Sequence, residues 1–111
     1  MTATITTRRF DEIAKHLANR EPFRTHGALA GDVPGAGVSS YLGRLPADWH
    51  RTLTARQHLV TYVVWSYATP IAWHDKEAGW IVPDEHYSVT TSRHQGIVRA
   101  ALTHLGETYA E

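Results

Sequence analysis

The chain has no cysteine. Disulfide bridging, a thiolate nucleophile and a thiolate-ligated zinc site are therefore excluded, and a reducing compartment suits the composition. A long apolar run is also missing. The best stretch, Leu59 to Trp73, is broken by Thr61, Ser66, Thr69 and Pro70, and is too short for a membrane helix. The first residues, Met1-Thr2-Ala3-Thr4, lack the basic region and apolar core of a secretion signal, so a cytoplasmic protein is expected, without a membrane partner. Net charge is absent as well. Eleven Lys and Arg balance eleven Asp and Glu, which disfavours a purely electrostatic binder of nucleic acid. Signature motifs are missing too: no phosphate-binding P-loop, no H-E-x-x-H, no G-x-S-x-G. No cofactor or metal is implied.

What the chain does have is 111 residues, enough for one domain spanning 1–111 that buries its own core. Acidic residues are unevenly spread. None lies between Trp49 and His74 or between His86 and Leu105, and both stretches carry arginines and histidines. A basic face on a neutral protein is one reading of stretches 49–74 and 86–105; chance clustering is the other. Eight histidines are many for this length, and histidine both titrates near neutrality and ligates metals.

Periodicity sets out the elements. Residues 1–6 are expected to lack order. Phe10, Ile13, Ala14 and Leu17 form one helical stripe, with Thr7 as its N-cap and Pro22 beyond its end. Residues 20–37 read as a Gly/Pro-rich loop region, with a short strand near Gly27–Ala30 and another at Val38–Leu42. Trp49–Gln57 fits a helical turn or a loop. Leu59–Tyr67, dense in β-branched and aromatic residues and apolar on both faces, reads as a central strand. Thr69-Pro70 interrupts it, since proline offers no N–H to a ladder. Ile71–His74 and Trp80–Val82 then form a hairpin, and Tyr87–Thr90 a further strand. The final helix is signalled by Ser92 and Gln95 as an S-x-x-Q capping box, by a stripe through Ile97, Val98, Ala101, Leu102 and Leu105, and by Gly106 as its stop. The expected fold class is α+β: an antiparallel β-meander of three to five strands with an N-terminal and a C-terminal helix packed on it.

Three constellations could carry chemistry. Thr90, Thr91, Ser92, Arg93, His94 and Gln95 place hydroxyls and cations at a helix start, where free N–H groups favour phosphate or carboxylate. The same residues also suit a strand end and a helix cap. Arg93 and His94 would oppose the dipole of a first turn, unless an acid from 75–77 or 84–85 lies beside them. Tyr67, Trp73, Trp80 and Tyr87 are candidates for an aromatic surface, although rings of this size more commonly fill a core. His74-Asp75, Glu77 and Asp84-Glu85-His86 could meet as an acid–base pair or a metal site, or simply be solvated turns.

Two runs carry a resemblance: Tyr62-Val63-Val64-Trp65-Ser66-Tyr67-Ala68-Thr69-Pro70-Ile71-Ala72-Trp73, and Tyr87-Ser88-Val89-Thr90-Thr91-Ser92-Arg93-His94-Gln95. With Gly43-Arg44-Leu45-Pro46 they resemble, over about 23–95, a small domain of unknown function found in proteins of bacteriophages, especially those of actinobacteria, and of other mobile elements. The resemblance implies an accessory protein acting in a bacterial cell, and no activity. It adds weight to Ser66, Tyr67, Thr69, Thr91, Ser92, His94 and Gln95. The function expected is a non-enzymatic binding module for a host or phage macromolecule, a host or phage protein above all, or for a phosphate-bearing ligand. The alternatives are a nucleic-acid binder using the acid-free stretches, a small His/carboxylate hydrolase or nuclease, and a homodimer paired through an exposed strand edge.

Overall fold

The computed structural model describes residues 2–34 and 42–111. Its elements are β1 (Ala3–Thr4), α1 (Phe10–Asn19), β2 (Phe23–Arg24), β3 (Leu29–Asp32), α2 (Ala47–Ala55), β4 (Val60–Ser66), β5 (Thr69–Asp75), β6 (Gly79–Ile81), α3 (Val89–His104) and β7 (Tyr109–Ala110). The α+β class stands. The three-to-five-stranded antiparallel meander does not: the described residues form a seven-stranded mixed sheet in the order β1-β2-β3-β4-β5-β6-β7. Its middle is antiparallel, but β1 pairs parallel to β2 and β6 parallel to β7. A parallel neighbour needs a crossover, and α1 and α3 are those crossovers.

The two crossover helices pack on each other and on one sheet face. Ile13, Ala14 and Leu17 of α1 and Val98, Ala101 and Leu102 of α3 enclose Phe23, Leu29, Tyr62, Val64, Ile71 and Trp80. On the other face Leu53 of α2, with Leu42 and Leu45 from the segment before it, covers Val60, Val63, Trp73 and Ile81, with Trp49 and Trp65 at the margin. Covering on both faces explains why β4 is apolar on both sides. Gly31 sits where β3 crosses the ring of Tyr62; a Cβ there would meet the Tyr62 hydroxyl and the Phe23 ring.

Several sequence expectations are corrected. Ala3–Thr4, inside the stretch expected to lack order, bonds to β2, and the 20–37 region contains β2, which was not expected, and β3, which overlaps the strand expected near Gly27–Ala30. The strand expected at Val38–Leu42 lies, apart from Leu42, outside the described residues. A third helix, α2, occupies the ambiguous 49–57 region. Helix α1 is preceded by Arg9 rather than capped by Thr7; the Arg9 guanidinium bonds the Asp11 carboxylate instead. At its end Arg20 takes the left-handed conformation (φ 53°), and its guanidinium closes the Leu17 and Ala18 carbonyls. Thr69 and Pro70 lie within β5, with Pro70 opposite Trp65 beside a register shift that accommodates the missing N–H. Tyr87 and Ser88 precede α3 instead of forming a strand, and α3 begins four residues earlier than the Ser92 cap implies.

The β5–β6 turn is fastened by Asp75, whose buried carboxylate accepts the N–H groups of Glu77 and Ala78 at 2.8 and 2.9 Å. Arg56, after α2, donates to both Asp75 oxygens at 2.6 and 3.1 Å and to Glu77 at 3.0 Å. This arginine ties α2 to the hairpin, and its hydrogen bonds hold the Asp75 carboxyl well below the usual carboxylate range.

Candidate functional site

Ser88 is the N-cap of α3, its Oγ accepting the Thr91 N–H at 3.1 Å. The first-turn N–H groups of Val89 and Thr90 have no partner within the helix, as at any helix start. This end of α3 stands against the β4–β5 hairpin. Ser66 falls on the same face of β4 as Tyr62 and Val64, so its hydroxyl meets α3. The Ser66 Oγ lies 3.1 Å from Thr91 Oγ1 and 2.8 Å from His94 Nδ1, and Ser88 Oγ donates to Thr91 Oγ1 at 3.2 Å. Ser88, Thr91, Ser66 and His94 thus form one chain of hydrogen bonds, with Ser66 1 % and His94 6 % exposed. Burial, then the neighbouring Arg93 charge, lowers the His94 pKa, so the ring is neutral at pH 7.

The hairpin turns through Tyr67 and Ala68. Tyr67 has φ 56°, a left-handed conformation that costs a non-glycine residue energy, and its ring is 64 % exposed. Its N–H is fixed on the Ala28 carbonyl at 3.1 Å. Beside the turn, Gly43 has φ 56°, and a Cβ there would meet Thr69 Oγ1 and the Ala68 carbonyl oxygen. Glycine is what lets the 42–45 turn approach, and the Arg44 N–H then bonds Thr69 Oγ1 at 2.9 Å.

These three segments enclose a cleft of about 440 Å³, bordered by Arg44, Ser66, Tyr67, Tyr87, Thr90 and Thr91 among others. Arg44 is exposed and has no carboxylate partner among the described residues. The Tyr87 hydroxyl is buried with no hydrogen bond among the described residues, and its pKa is pushed up to about 12 by burial and by Glu85. The cleft therefore offers an exposed cation, a helix start, several hydroxyls and an aromatic wall. Such a set can hold an anion in orientation.

The residues singled out in sequence part company here. Thr90 and Thr91 border the cleft. Ser92 contacts His86 at 3.4 Å and Arg93 is exposed. With Val89 as the first helical residue, Arg93 and His94 lie in the second turn, so the expected conflict with the helix dipole does not arise. His94 lies behind Ser66. Gln95 is not half of a capping box: its Nε2 donates to the Glu85 carbonyl at 3.1 Å and more distantly to Pro83, which fastens the 83–85 segment to α3. Of the four aromatic candidates, Tyr67 and Tyr87 border the cleft, while Trp73 and Trp80 are 1 % and 2 % exposed and belong to the two cores. Trp80 is buried against Tyr62 and His74, with the Arg20 guanidinium 5.1 Å above its ring.

The acid and histidine cluster also separates. Asp75 and Glu77 are taken by Arg56; His74 Nδ1 shares a 2.7 Å hydrogen bond with Thr61; Asp84 lies 3.8 Å from Arg99. Among the described residues no group of three or more His, Asp or Glu could hold a metal ion. Part of the charge on the acid-free stretches is likewise matched, Arg51 by Asp48 within α2 and Arg56 by Asp75 across the fold. Arg44 and Ser66 are the site residues that local reading left outside its candidate set, whereas Tyr67 was a candidate for an aromatic surface. The resemblance had weighted Ser66 and Tyr67, and Ser66 is also the one aliphatic hydroxyl on the apolar face of β4.

Among the described residues no helix is long and apolar enough to cross a membrane. A family model described as a family of unknown function (DUF8033) matches residues 16–100, and the chain belongs to that family. No curated protein and no solved structure matches the chain.

Proposed function

We propose that this member of the family is a non-enzymatic binding module whose cleft at the start of α3 takes a ligand bearing phosphate or carboxylate. The observation that carries the reading is the meeting of an exposed Arg44, without a carboxylate partner among the described residues, with the start of α3 and the Tyr67 turn around one cleft of about 440 Å³. A binding role is favoured over hydrolysis by the surroundings of the histidines. Among the described residues neither His74 nor His94 makes a hydrogen bond or ion pair with a carboxylate, and Ser66, the one hydroxyl on His94, is almost wholly buried. The module serves as an accessory of a phage or mobile element within a bacterial cell, a role that rests on the two sequence runs alone.

Titration of the protein with inorganic phosphate and with acetate, followed by amide chemical shifts, tests the site. Shifts confined to Arg44, Tyr67 and Val89–Thr91, and lost in Arg44→Ala, are expected. Shifts elsewhere, or the same shifts in the variant, would overturn the assignment.

A further inference from the structure

Tyr67 stands between two clefts. The first holds Arg44 and the start of α3; the second, about 470 Å³, lies across β2 and β3 and is bordered by Arg24, Ala30, Gly31, Asp32 and Trp65 as well as Tyr67. A tyrosine is an unfavourable residue for this position. Its φ of 56° is left-handed, the conformation that glycine or asparagine adopts at little cost. Its ring is also left 64 % exposed, so the strain is not offset by burial. Strained backbone at an exposed aromatic residue is a mark of function, since packing does not demand it. The backbone that carries the ring is held in place, because the Tyr67 N–H is bonded to Ala28 and the flanking residues belong to paired strands.

We infer that the ligand of the first cleft is a nucleotide, its base stacked on the Tyr67 ring and its phosphate held by Arg44 and the N–H groups at the start of α3. This rests on the anion-binding reading and adds the ring to it. A planar heterocycle is the chemistry that an exposed aromatic face recognises, and a phosphate is the chemistry of the neighbouring cation and helix start. Trp65, in the second cleft on the far side of Tyr67, gives a further aromatic surface for a ring that passes over the turn.

Calorimetric titration of the purified chain with inorganic phosphate, with ribonucleosides and with their 5′-monophosphates tests this. A monophosphate is expected to bind at least about tenfold more tightly than phosphate or than its own nucleoside, as one stacked base contributes on that scale. Tyr67→Ala should remove the monophosphate's gain over phosphate, while Tyr67→Phe should retain it. A thermal melt of each variant establishes that it is folded. Monophosphates binding no better than phosphate, or binding unchanged in Tyr67→Ala, would overturn the nucleotide inference and leave the anion site standing. Nucleosides binding as well as monophosphates would instead overturn the anion site. Binding of none of them would overturn both.

Discussion

Replacing Ser66 by alanine is expected to destabilise the protein by more than the loss of one hydroxyl suggests. The side chain bonds Thr91 Oγ1 at 3.1 Å and His94 Nδ1 at 2.8 Å, and only 1 % of the residue is exposed. After the substitution Thr91 keeps the Ser88 hydroxyl, so its cost is small. His94 does not fare as well. Its Nδ1 loses its bonded partner in a buried setting, and a buried polar group left without one costs about 1–3 kcal/mol. The expected loss is therefore about 2 kcal/mol, or roughly 10 °C in Tm for a domain of this size. Chemical denaturation at pH 8 gives the free energy directly. Replacing both residues, Ser66→Ala with His94→Leu, should cost less than the two single losses added together, because the orphaned nitrogen is gone. A Ser66→Ala protein within about 0.5 kcal/mol of the parent would refute the reasoning, since it would mean that cleft water serves His94 as well as the serine does.

Three further outcomes follow from the same geometry. Burial lowers the pKa of both His74 and His94, with Arg20 adding to the effect at the first and Arg93 at the second. The folded state therefore resists the protons that the unfolded chain accepts below about pH 6.5. Stability should be level above that pH and fall beneath it, by at most about 1.4 kcal/mol per pH unit for each histidine; a flat denaturation profile from pH 8 to pH 5 would contradict this. Asp75→Asn places an amide N–H against the Arg56 guanidinium and should cost about 2–3 kcal/mol in urea denaturation, because hydrogen bonds to charged groups are lost in a buried site. Both replacements of Tyr67 by a small residue discard the same ring, yet Tyr67→Gly should be more stable than Tyr67→Ala by about 1 kcal/mol, as only glycine is free of the left-handed penalty. Equal melting temperatures for the two would show that the turn relaxes to another conformation.

Much of the fold can be read along the chain where the signal is long. The stripe Phe10, Ile13, Ala14, Leu17 and the apolar density of 60–66 locate α1 and β4 within a residue or two. The two-residue strands β1, β2 and β7 cannot be read this way, because a period needs several residues to show and these strands exist only by pairing with distant partners. The start of α3 is misread for a different reason. Ser88 and Ser92 are both hydroxyl caps in form, and Val89, Thr90 and Thr91 between them have strand propensity; packing of α3 on the sheet and the Ser88–Thr91 cap decide for the helix. The turn at Tyr67-Ala68 carries no glycine, asparagine or proline, so turn chemistry gives no hint of it.

The site was partly legible. Thr90 and Thr91 were found because a helix start is a local feature with a local signature. Their joining to Ser66, and the arrival of Arg44 beside them, are not local: 25 residues separate Ser66 from Thr91, and the same number separates Arg44 from Thr69. The clue for Ser66 was its place on an apolar face, where a hydroxyl has to find a partner. Trp73 and Trp80 were candidates for a surface because alternation shows which residues share a face, but not which faces are covered. Here α2 covers one and the α1–α3 pair the other.

The central claim is that the cleft between Arg44, Tyr67 and the start of α3 binds an anion-bearing ligand. Its most direct measurement is the affinity of the folded chain for a nucleoside 5′-monophosphate beside that of Arg44→Ala, by calorimetry at low and moderate salt. The account predicts binding by the parent that weakens with salt and falls about tenfold or more in the variant, since a charge-assisted contact is lost. Equal affinity of parent and variant, or no binding by either, would contradict it.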